Sequence, residues 1–275
     1  MISIRKYRII YLVKKKTPKF FETDLDFEIA KYDQVAEKEE AFFLNFGYLQ
    51  NELDGLAPQH RPPYLEYYKA IELLASEKSV VLELGAGTGR HSLAVTRSGA
   101  TYYALDVSRK SLEILAKRTN GYANLLIGNM TEIPLQNNSI DLIVMNGCWS
   151  YAKFEDWLAE IKRVLRPGGS VILLDSLNHN IIFRTNRFYR YLSGHRTKNS
   201  LKNMPRLSRI WKLTNNFANH KFKSFGTLLF IYQPIRLITG SKKAIKIIYD
   251  FDRLFPNNRF AFKFLLVLEN HIKQN

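Results

Sequence analysis

The stretch that decides the fold is VVLELGAGTGRHSLAVTRSGATYYALDVS, which runs from Val80 to Ser108. In it an apolar run ends in three closely spaced glycines, and a second apolar run ends on Asp106. Glycine allows a tight backbone turn and lets a ligand approach the chain closely. Adjacent parallel strands bring their carboxyl ends together, so we expect the glycine loop and the Asp106 carboxylate to face one crevice. A carboxylate there suits the two hydroxyl groups of a ribose, which predicts a nucleoside cofactor.

Apolar runs that alternate with helical patterns predict a doubly wound α/β fold. The runs occupy residues 80–84, 101–105, 124–128, 140–145 and 170–175. They show no polar alternation, as expected for parallel strands that are buried on both faces. Segments with helical periodicity separate them, which implies right-handed crossovers within one sheet. The helical pattern before the last run stops at a predicted turn, Pro167-Gly168-Gly169.

Composition divides the chain into three segments. Residues 1–24 form a basic N-terminal arm, residues 25–75 a helical cap, and residues 76–275 the α/β domain. A basic insert at about 176–215 interrupts that domain. The remaining patterns predict a helix at 205–217, a strand near 221–231 and a last strand within 259–270.

Cysteine content and hydropathy constrain the compartment. The chain contains one cysteine, Cys148, which excludes an intramolecular disulfide framework and suits a reducing environment. No secretory signal is recognisable. The longest apolar stretch begins at Phe225 and is interrupted before it reaches the roughly 20 residues of a membrane span. These observations predict a cytoplasmic protein.

Basic residues are concentrated in the last third of the chain. Residues 1–175 contain 22 basic and 22 acidic residues, whereas residues 176–275 contain 19 and 3. This excess predicts contact with something anionic: a phosphorylated small-molecule acceptor, the surface of a membrane, or, less favoured, nucleic acid. The alternative is a solvated surface that only maintains solubility.

The spacing of the glycines discriminates between nucleoside cofactors. A dinucleotide loop has the pattern Gly-x-Gly-x-x-Gly, but here the third dinucleotide glycine is replaced by Arg90. A Gly-Lys-Ser/Thr phosphate loop is also missing from the sequence. Glu83 would place a negative charge beside a pyrophosphate, which is unfavourable, whereas it would favour an ammonium and a sulfonium. The residues therefore favour S-adenosylmethionine over NAD or ATP.

Four motifs together resemble the class I S-adenosylmethionine-dependent methyltransferases, and most closely their small-molecule, type 11-like branch. They are VLELGAGTG, the acidic residue Asp106, the segment GNM…IPLQNNSIDLIVMN and the turn LRPGG. The resemblance covers residues 80–175, and the last strand fits the family's antiparallel seventh strand more weakly. It implies a Rossmann-like, mostly parallel seven-stranded sheet with an N-terminal helical cap and a basic C-terminal insert.

The resemblance also implies roles for residues at matching positions. The glycine loop borders the methionine part of S-adenosylmethionine, Glu83 supports that loop, and Asp106 holds the ribose. Asn129 stands where many relatives have an aspartate that meets the adenine amino group. Met130 packs on the adenine ring or belongs to the ordinary core. The predicted cofactor site comprises Glu83, Gly85, Ala86, Gly87, Gly89, Asp106, Val107, Asn129, Met130 and Asn146.

We expect the methyl acceptor to lie over the carboxyl end of the fourth strand. Its predicted contacts are Trp149, Tyr151 and Asn178. If the acceptor is a hydroxyl, a general base helps, and histidine suits that role near neutral pH. His179, which follows the fifth strand, is the first candidate for this base. His60, in the segment where relatives place a lid, is the second, and an ordinary surface histidine is the alternative for both.

The predicted function is methylation of a small acceptor, with O-methylation of a sugar or glycan-type molecule as the leading hypothesis. A phosphate on that acceptor would meet arginines of the insert, which are Arg184, Arg187, Arg190 and Arg196. A second hypothesis is a lipid or quinone methyltransferase that docks on an anionic membrane through Trp211, Phe222 and Phe225. An RNA-directed methyltransferase and a non-catalytic cofactor-binding protein are further alternatives. Cys148 is interpreted as a buried thiol, and no metal site is predicted.

Overall fold

The computed structural model describes residues 19–46, 53 and 56–271, with the side chains of residues 24–41 in the first helix. Its strands are β1 (Val80–Leu84), β2 (Thr101–Asp106), β3 (Asn124–Ile127), β4 (Ile140–Asn146), β5 (Leu165–Ser176), β6 (Asn219–Phe225) and β7 (Lys263–Glu269). Its helices are α1 (Lys19–Phe46), α2 (Arg61–Leu74), α3 (Leu93–Arg97), α4 (Arg109–Arg118), α5 (Phe154–Val164), α6 (Ile181–Leu192), α7 (Lys198–Lys202), α8 (Leu207–Thr214), α9 (Tyr232–Thr239) and α10 (Ser241–Leu254).

All seven strands belong to one sheet, in the order β3-β2-β1-β4-β5-β7-β6. β7 runs antiparallel to both of its neighbours, and the other pairings are parallel. The predicted doubly wound, mostly parallel, Rossmann-like sheet is therefore confirmed. β1 continues to β2 on one side and β4 continues to β5 on the other, so the strand order reverses between them. Ligands of such sheets bind at the carboxyl ends of the strands beside this point.

The central strands carry apolar side chains on both faces because helices cover both sides of the sheet. On β1, Leu82 and Leu84 belong to one buried cluster, and Val81 belongs to another. On β4, Ile143 and Val144 divide between the same two clusters. Successive side chains of a strand point to opposite faces, so both sets of positions must be apolar. Truncating a fully buried member, as in Ile143→Ala, costs about 2–5 kcal/mol of stability.

β5 starts earlier than the sequence pattern predicts. It begins at Leu165, directly after α5, instead of near residue 170. Leu165 pairs with Ile140, and the register then shifts before Ser170 pairs with Leu142. The turn predicted at 167–169 is therefore an irregularity within a long strand.

β6 ends at Phe225, which is six residues before the predicted end at 231. Gly226 has φ +73°, and the amides of Gly226 and Thr227 donate hydrogen bonds to the buried carboxylate of Asp252. This turn ends the strand and leads into α9 and α10, which the sequence pattern did not predict. The helix predicted at 205–217 is confirmed as the shorter α8. No helix in the described part of the chain is long and apolar enough to cross a membrane.

Helices α1 and α2 lie in the segment predicted as a helical cap, although α1 begins at Lys19, before the predicted boundary at residue 25. Residues 1–18 of the predicted basic arm lie outside the described residues. Helix α1 contacts α4, and the hydroxyl of Ser108, the residue before α4, donates a hydrogen bond to the Asp33 carboxylate at 2.6 Å. Exposed ion pairs also join the two helices, and these are Lys110–Glu37 and Lys117–Glu40.

Glu39 connects α1 to the glycine loop. Its carboxylate accepts hydrogen bonds from the Thr88 hydroxyl at 2.6 Å and from Arg90 at 2.8 Å. The buried guanidinium of Arg118 lies 3.4 Å from the same carboxylate. One acidic side chain of the cap therefore holds the helix over the end of β1.

Candidate cofactor and acceptor site

A cavity of about 720 Å³ opens at the carboxyl ends of the central strands. Its volume lies in the range of about 300–1,000 Å³ that is common for small-molecule sites. Three walls enclose it: the loops after β1 to β4, one face of α1, and the segment from α7 to α8. The predicted site residues that line it are Gly85, Gly87, Asp106, Val107, Asn129, Met130, Asn146 and Tyr151.

The amides of the glycine loop are used within the protein. Gly85 and Ala86 both donate to the Leu105 carbonyl, at 2.9 and 3.1 Å. Gly87 donates to the Asp106 carboxylate at 2.8 Å, and Gly89 donates to Ala86 at 3.1 Å. A loop that binds pyrophosphate instead points such amides at the ligand. The observed arrangement therefore agrees with the preference for S-adenosylmethionine over a dinucleotide.

Glycine is required in this loop for two different reasons. Gly85 has φ +67°, and a Cβ atom there would lie 2.6 Å from the Cβ of Cys148. Gly87 has φ +53° but a Cβ atom there would meet no protein atom within 4 Å, at a position that borders the cavity. Side chains are therefore excluded at Gly85 by packing against Cys148, and at Gly87 by backbone conformation and by the space a ligand needs.

Cys148 behaves as the buried thiol that the sequence suggests. Its Sγ–H donates to the Leu84 carbonyl at 3.2 Å, and its side chain fills the space beneath Gly85. Burial raises the pKa of the thiol well above its usual range. The thiol is therefore protonated at neutral pH, although the residue borders the cavity.

Asp106 presents its carboxylate to the cavity. Its Oδ1 accepts the Ser108 amide and its Oδ2 accepts the Gly87 amide, each at 2.8 Å. Burial raises the pKa of this carboxyl, and the backbone hydrogen bonds oppose that rise. Each carboxylate oxygen accepts more than one hydrogen bond, so both can also accept a ribose hydroxyl. The donor set at the end of β2 thus fits the nucleoside of S-adenosylmethionine.

Glu83, Ala86 and Gly89 were predicted as cofactor contacts but do not border the cavity. The Glu83 carboxylate accepts hydrogen bonds from Ser92 at 2.6 Å and from Tyr102, and burial raises its pKa to about 7. Glu83 therefore supports the loop from behind. A Cβ atom on Gly89 would lie 2.8 Å from Leu115, so this glycine lets the loop pack on α4.

The loop after β3 supplies the predicted adenine side of the cavity. The Asn129 side-chain oxygen accepts the Thr131 amide at 3.2 Å, which fixes the orientation of its amide group. Met130 is 7% exposed, belongs to the core cluster and also borders the cavity, so it satisfies both interpretations of the sequence. Asn146 borders the cavity from the end of β4.

Helix α1 covers the cavity. Asp24, Glu28 and Tyr32 lie one turn apart on the face that lines it. The Tyr32 and Tyr151 hydroxyls are 2.5 Å apart and their rings meet edge to face at 5.7 Å. Burial, and secondarily Tyr151, raise the pKa of Tyr32 well above its usual range, so the phenol stays protonated and does not serve as a base.

Glu28 is the buried acid of this roof. One carboxylate oxygen binds the Lys31 ammonium at 2.8 Å. The other, Oε1, is buried and has no hydrogen-bond partner among the residues that the structure describes. The same Lys31 ammonium lies 4.8 Å from the centre of the Tyr32 ring. Glu28 therefore offers an unused acceptor atom next to the cavity.

The third wall is rich in hydroxyl, amide and basic groups. Thr197 begins α7 by accepting the Ser200 amide on its hydroxyl at 3.1 Å, and α7 packs against the turn at 149–151. Arg196 donates to the Met204 sulfur at 2.7 Å, which holds the loop before α7. The lining side chains of this wall are Thr197, Asn199, Ser200, Lys202, Asn203 and Arg209, and Lys153 and Glu155 lie opposite.

Both predicted histidine bases lie outside the cavity lining. His179 Nε2 accepts the Leu207 amide at 2.9 Å, and burial lowers the pKa of this imidazole. The His60 ring packs 5.8 Å from Phe262, and burial followed by the Lys263 charge lowers its pKa. His179 therefore anchors the start of α8, and His60 packs at the start of α2.

Two of the predicted acceptor contacts are also structural. Trp149 is 1% exposed, its ring stacks on Phe154 at 5.5 Å, and it does not line the cavity. Asn178 is buried and its side-chain oxygen accepts Arg187 at 3.2 Å. Only Tyr151 of the predicted acceptor set lines the cavity. The four arginines predicted to meet a phosphate do not line it either, and the cations that do are Lys153, Lys202 and Arg209.

The helical walls carry the site residues that the sequence analysis missed. The recurrence of Asp24, Glu28 and Tyr32 at four-residue intervals is a signal of one helical face, and it would have identified the roof. The wall formed by α7 has no comparable signal, because a five-residue helix is too short to show a period.

A family model described as a methyltransferase domain matches residues 82–173. An uncharacterized methyltransferase of Schizosaccharomyces pombe is 30% identical over 122 residues, which are 44% of this chain and 48% of the relative. A malonyl-[acyl-carrier protein] O-methyltransferase of Buchnera aphidicola is 32% identical over 120 residues, which are 43% of this chain and 48% of the relative. The chain thus spans about half the length of these curated relatives.

Solved structures agree with the fold. A phosphoethanolamine N-methyltransferase 2 of Haemonchus contortus, in complex with phosphomonomethylethanolamine and S-adenosylhomocysteine, is similar with a TM-score of 0.60 at 17% identity. The match covers 92% of this chain and 60% of that chain. The family model matches the part of the chain that contains the glycine loop and the buried Asp106, and both lie at the same edge of the sheet. The chain therefore carries a class I S-adenosylmethionine-dependent methyltransferase domain.

Proposed function

We propose that this protein transfers a methyl group from S-adenosylmethionine to a hydroxyl of a small, anionic acceptor. One observation carries the proposal: a single cavity joins the predicted cofactor residues at the strand ends to the third wall, which contains Lys202 and Arg209. Cofactor and acceptor would therefore meet in one enclosed space, as an in-line transfer requires.

The cofactor end would be held by the strand loops. Asp106 would accept the ribose hydroxyls, Asn129 and Met130 would contact the adenine, and the backbone at Gly85 and Gly87 would border the methionine part. When bound, S-adenosylmethionine supplies an electrophilic methyl group that passes to the acceptor oxygen and leaves S-adenosylhomocysteine. The chain's own contribution is alignment and exclusion of water by α1.

Glu28 is the group that we propose as proton acceptor for the hydroxyl. Glu28 lines the cavity and its buried Oε1 atom has no described partner, so an acceptor O–H that reached this atom would complete its hydrogen bonding. The hydroxyl proton would pass to this carboxylate as the new carbon–oxygen bond forms. Tyr32 and Tyr151, which hydrogen-bond to each other, would close the roof on the same side.

The third wall supports an acceptor with a phosphate or carboxylate. Lys202 and Arg209 provide positive charge, and Asn199 and Asn203 provide amides that bind hydroxyls of a sugar-type molecule. The Buchnera aphidicola relative is named as an O-methyltransferase, which is consistent with transfer to oxygen. In this proposal the basic residues that bind the acceptor are therefore Lys202 and Arg209, and they differ from the four arginines named from the sequence.

The test combines cofactor binding with an acceptor screen. Calorimetry with S-adenosylhomocysteine and with NAD should show binding of the first and none of the second. Methyl transfer from labelled S-adenosylmethionine should then be measured with phosphorylated and carboxylated polyols, each beside its neutral counterpart. We expect transfer to the anionic member of each pair.

Variants separate the parts of the proposal. Arg209→Gln and Lys202→Gln should raise the KM for an anionic acceptor, whereas Arg206→Gln, an exposed charge outside the lining, should leave it unchanged. Glu28→Gln should lower kcat and leave the affinity for S-adenosylhomocysteine within a few-fold of wild type. Binding of NAD instead of S-adenosylhomocysteine would overturn the proposal as a whole, and equal transfer to neutral acceptors would overturn the anionic part.

A further inference from the structure

The outward face of α6 is apolar, which reverses the usual pattern of a helix on a protein surface. The polar residue Arg187 points inward, is buried, and donates to the Leu177 carbonyl at 2.7 Å. The opposite face, one helical stripe, is exposed to solvent. Its large apolar side chains and their exposed fractions are Ile181 64%, Ile182 46%, Phe188 52%, Tyr189 68% and Leu192 65%, and the exposed Thr185 lies among them.

Helix α9 repeats this arrangement nearby. Leu237 and Ile238 are 80% and 85% exposed, whereas Tyr232 on the same helix is buried. The Phe183 ring on α6 packs 6.4 Å from Phe230, in the turn that leads directly into α9. The outward stripes of the two helices, with Phe230, are called the α6–α9 face below.

The charged residues of the two helices that form this face are all basic. Arg184 and Arg190 flank the apolar stripe of α6, and Arg236 lies on α9. Lys242 and Lys243 follow at the start of α10 and are exposed. The chain contains no aspartate or glutamate between residues 176 and 249. The surface therefore combines exposed aliphatic and aromatic side chains with positive charge, in a segment that contains no acidic residue.

We propose that the α6–α9 face binds the surface of an anionic lipid bilayer. Interfacial helices place an apolar stripe in the headgroup region, with basic residues at its edges that attract anionic lipids. A second copy of the chain is a poor partner, because it would bring arginines against arginines. Nucleic acid would use the cations but would leave Ile181, Leu237 and Ile238 without a contact.

The residues that make this surface differ from the membrane anchors suggested by the sequence. Phe225 is buried at the end of β6, and Phe222 is half-buried against Trp211 at 5.6 Å between ring centres. The α6–α9 face instead lies next to the third wall of the cavity, because α6 contacts α7 and α7 lines the cavity. Docking would hold the cavity beside the bilayer, and this inference does not depend on which acceptor is methylated.

Vesicle co-sedimentation of the full chain tests the proposal, with phosphatidylcholine vesicles and with vesicles enriched in phosphatidylglycerol. We expect the protein to sediment only with the anionic vesicles. Each cation near such a surface contributes about 1 kcal/mol, so Arg184→Gln/Arg190→Gln should lower the partition coefficient about 30-fold. Ile181→Ser/Leu192→Ser should also release the protein, because it removes apolar area from the headgroup region.

The matched controls lie on α2 and in the turn between α2 and β1, outside the α6–α9 face. Lys69→Gln/Lys78→Gln removes two exposed charges, and Leu73→Ser removes an 81% exposed leucine from α2; both should sediment as wild type does. Binding to neither vesicle, or equal binding to both, would overturn the proposal. So would a lipid-independent dimer that Ile181→Ser/Leu192→Ser converts to a monomer, because a second copy would then cover this face.

Discussion

The two ends of the cavity are built in different ways. At the cofactor end, backbone groups hold the structure together. Amides of the glycine loop donate hydrogen bonds to Leu105 and Asp106 of β2, and Gly85 packs directly on Cys148. At the acceptor end, side chains from α1, α7 and α8 meet across long distances in sequence, as in the contact between Tyr32 and Tyr151. The sheet therefore determines the first end, whereas the second depends on helices that connect to the sheet by a few side-chain contacts. Substitutions should affect the two ends separately.

The largest effect is expected at the cofactor end. Asp106→Ala removes the proposed ribose acceptor and the partner of the Gly87 and Ser108 amides. Hydrogen bonds to a charged group contribute about 1.5–3 kcal/mol each, so the Kd for S-adenosylhomocysteine should rise about 100-fold or more. Calorimetry measures this directly. Asp156→Ala, an exposed residue of α5, serves as the control and should bind as wild type does. Undiminished binding to Asp106→Ala would contradict the assignment of the cofactor end.

Acid should destabilise the structure behind the glycine loop through His91. Its Nδ1 lies 2.6 Å from the Tyr68 hydroxyl, its ring stacks on Tyr64, and its pKa is lowered to about 3, mainly by burial. Below pH 6.5 the unfolded chain binds a proton that the folded chain does not, so this contribution to stability falls as the pH falls toward 3. At pH 5 the loss is up to about 2 kcal/mol.

Comparison with His91→Gln isolates this effect. Glu83, whose pKa is raised to about 7, contributes in the opposite direction: its part of the stability is present below pH 4.5 and is lost as the pH rises through 7. Wild type and His91→Gln share that contribution, so the difference between their free energies of unfolding should report His91. Urea unfolding at pH 7 and pH 5 gives this difference, and a difference that does not change with pH would contradict the prediction.

Releasing α1 should loosen the roof and leave the sheet intact. Glu39→Gln weakens the contacts to the buried Thr88 and to Arg90, which is partly exposed, so we expect a loss of about 1.5 kcal/mol in the docking of α1. Hydrogen exchange of the α1 amides should then accelerate about tenfold, whereas exchange in β1 and β4 should not change. Glu40→Gln alters an exposed pair with Lys117 and should have little effect.

The smallest effect is expected for the contact between Tyr32 on α1 and Tyr151 in the turn at 149–151. Tyr32→Phe and Tyr151→Phe each remove one hydroxyl of the same hydrogen bond. A double-mutant cycle on the exchange of α1 amides should give a coupling energy of about 1 kcal/mol. Additive effects of the two substitutions would mean that the hydroxyls act independently and that the bond does not hold the roof.

The contrast between the ends explains how much could be predicted from the sequence. Strand-end residues were placed correctly because a glycine loop or a polar residue after an apolar run marks a strand end, as Gly85, Asp106 and Asn129 show. Glu83 does not line the cavity because side chains alternate between the two faces of β1. This alternation directs the Glu83 carboxylate behind the loop, toward Ser92. A carboxylate near a motif is thus not necessarily part of the ligand surface.

The acceptor end was predicted poorly because its residues are brought together by tertiary packing alone. His179 follows β5 at the expected edge, yet its imidazole accepts the backbone amide that begins α8. Trp149 follows β4, yet its ring turns into the core against Phe154. Position after a strand limits where the backbone lies, but the rotamer and the neighbouring helix decide whether the side chain reaches the cavity.

The internal hydrogen bonding of the glycine loop has a consequence for competition inside a cell. Nucleotides with phosphate chains are abundant there, and a loop with unpaired amides would attract them as readily as the intended ligand. In this chain Leu105 and Asp106 already occupy those amides, so a phosphate would have to displace a bond within the protein. We therefore expect discrimination against ATP and NAD to be a property of the main chain. It should persist through changes in most side chains around the pocket, including changes that alter which acceptor is methylated.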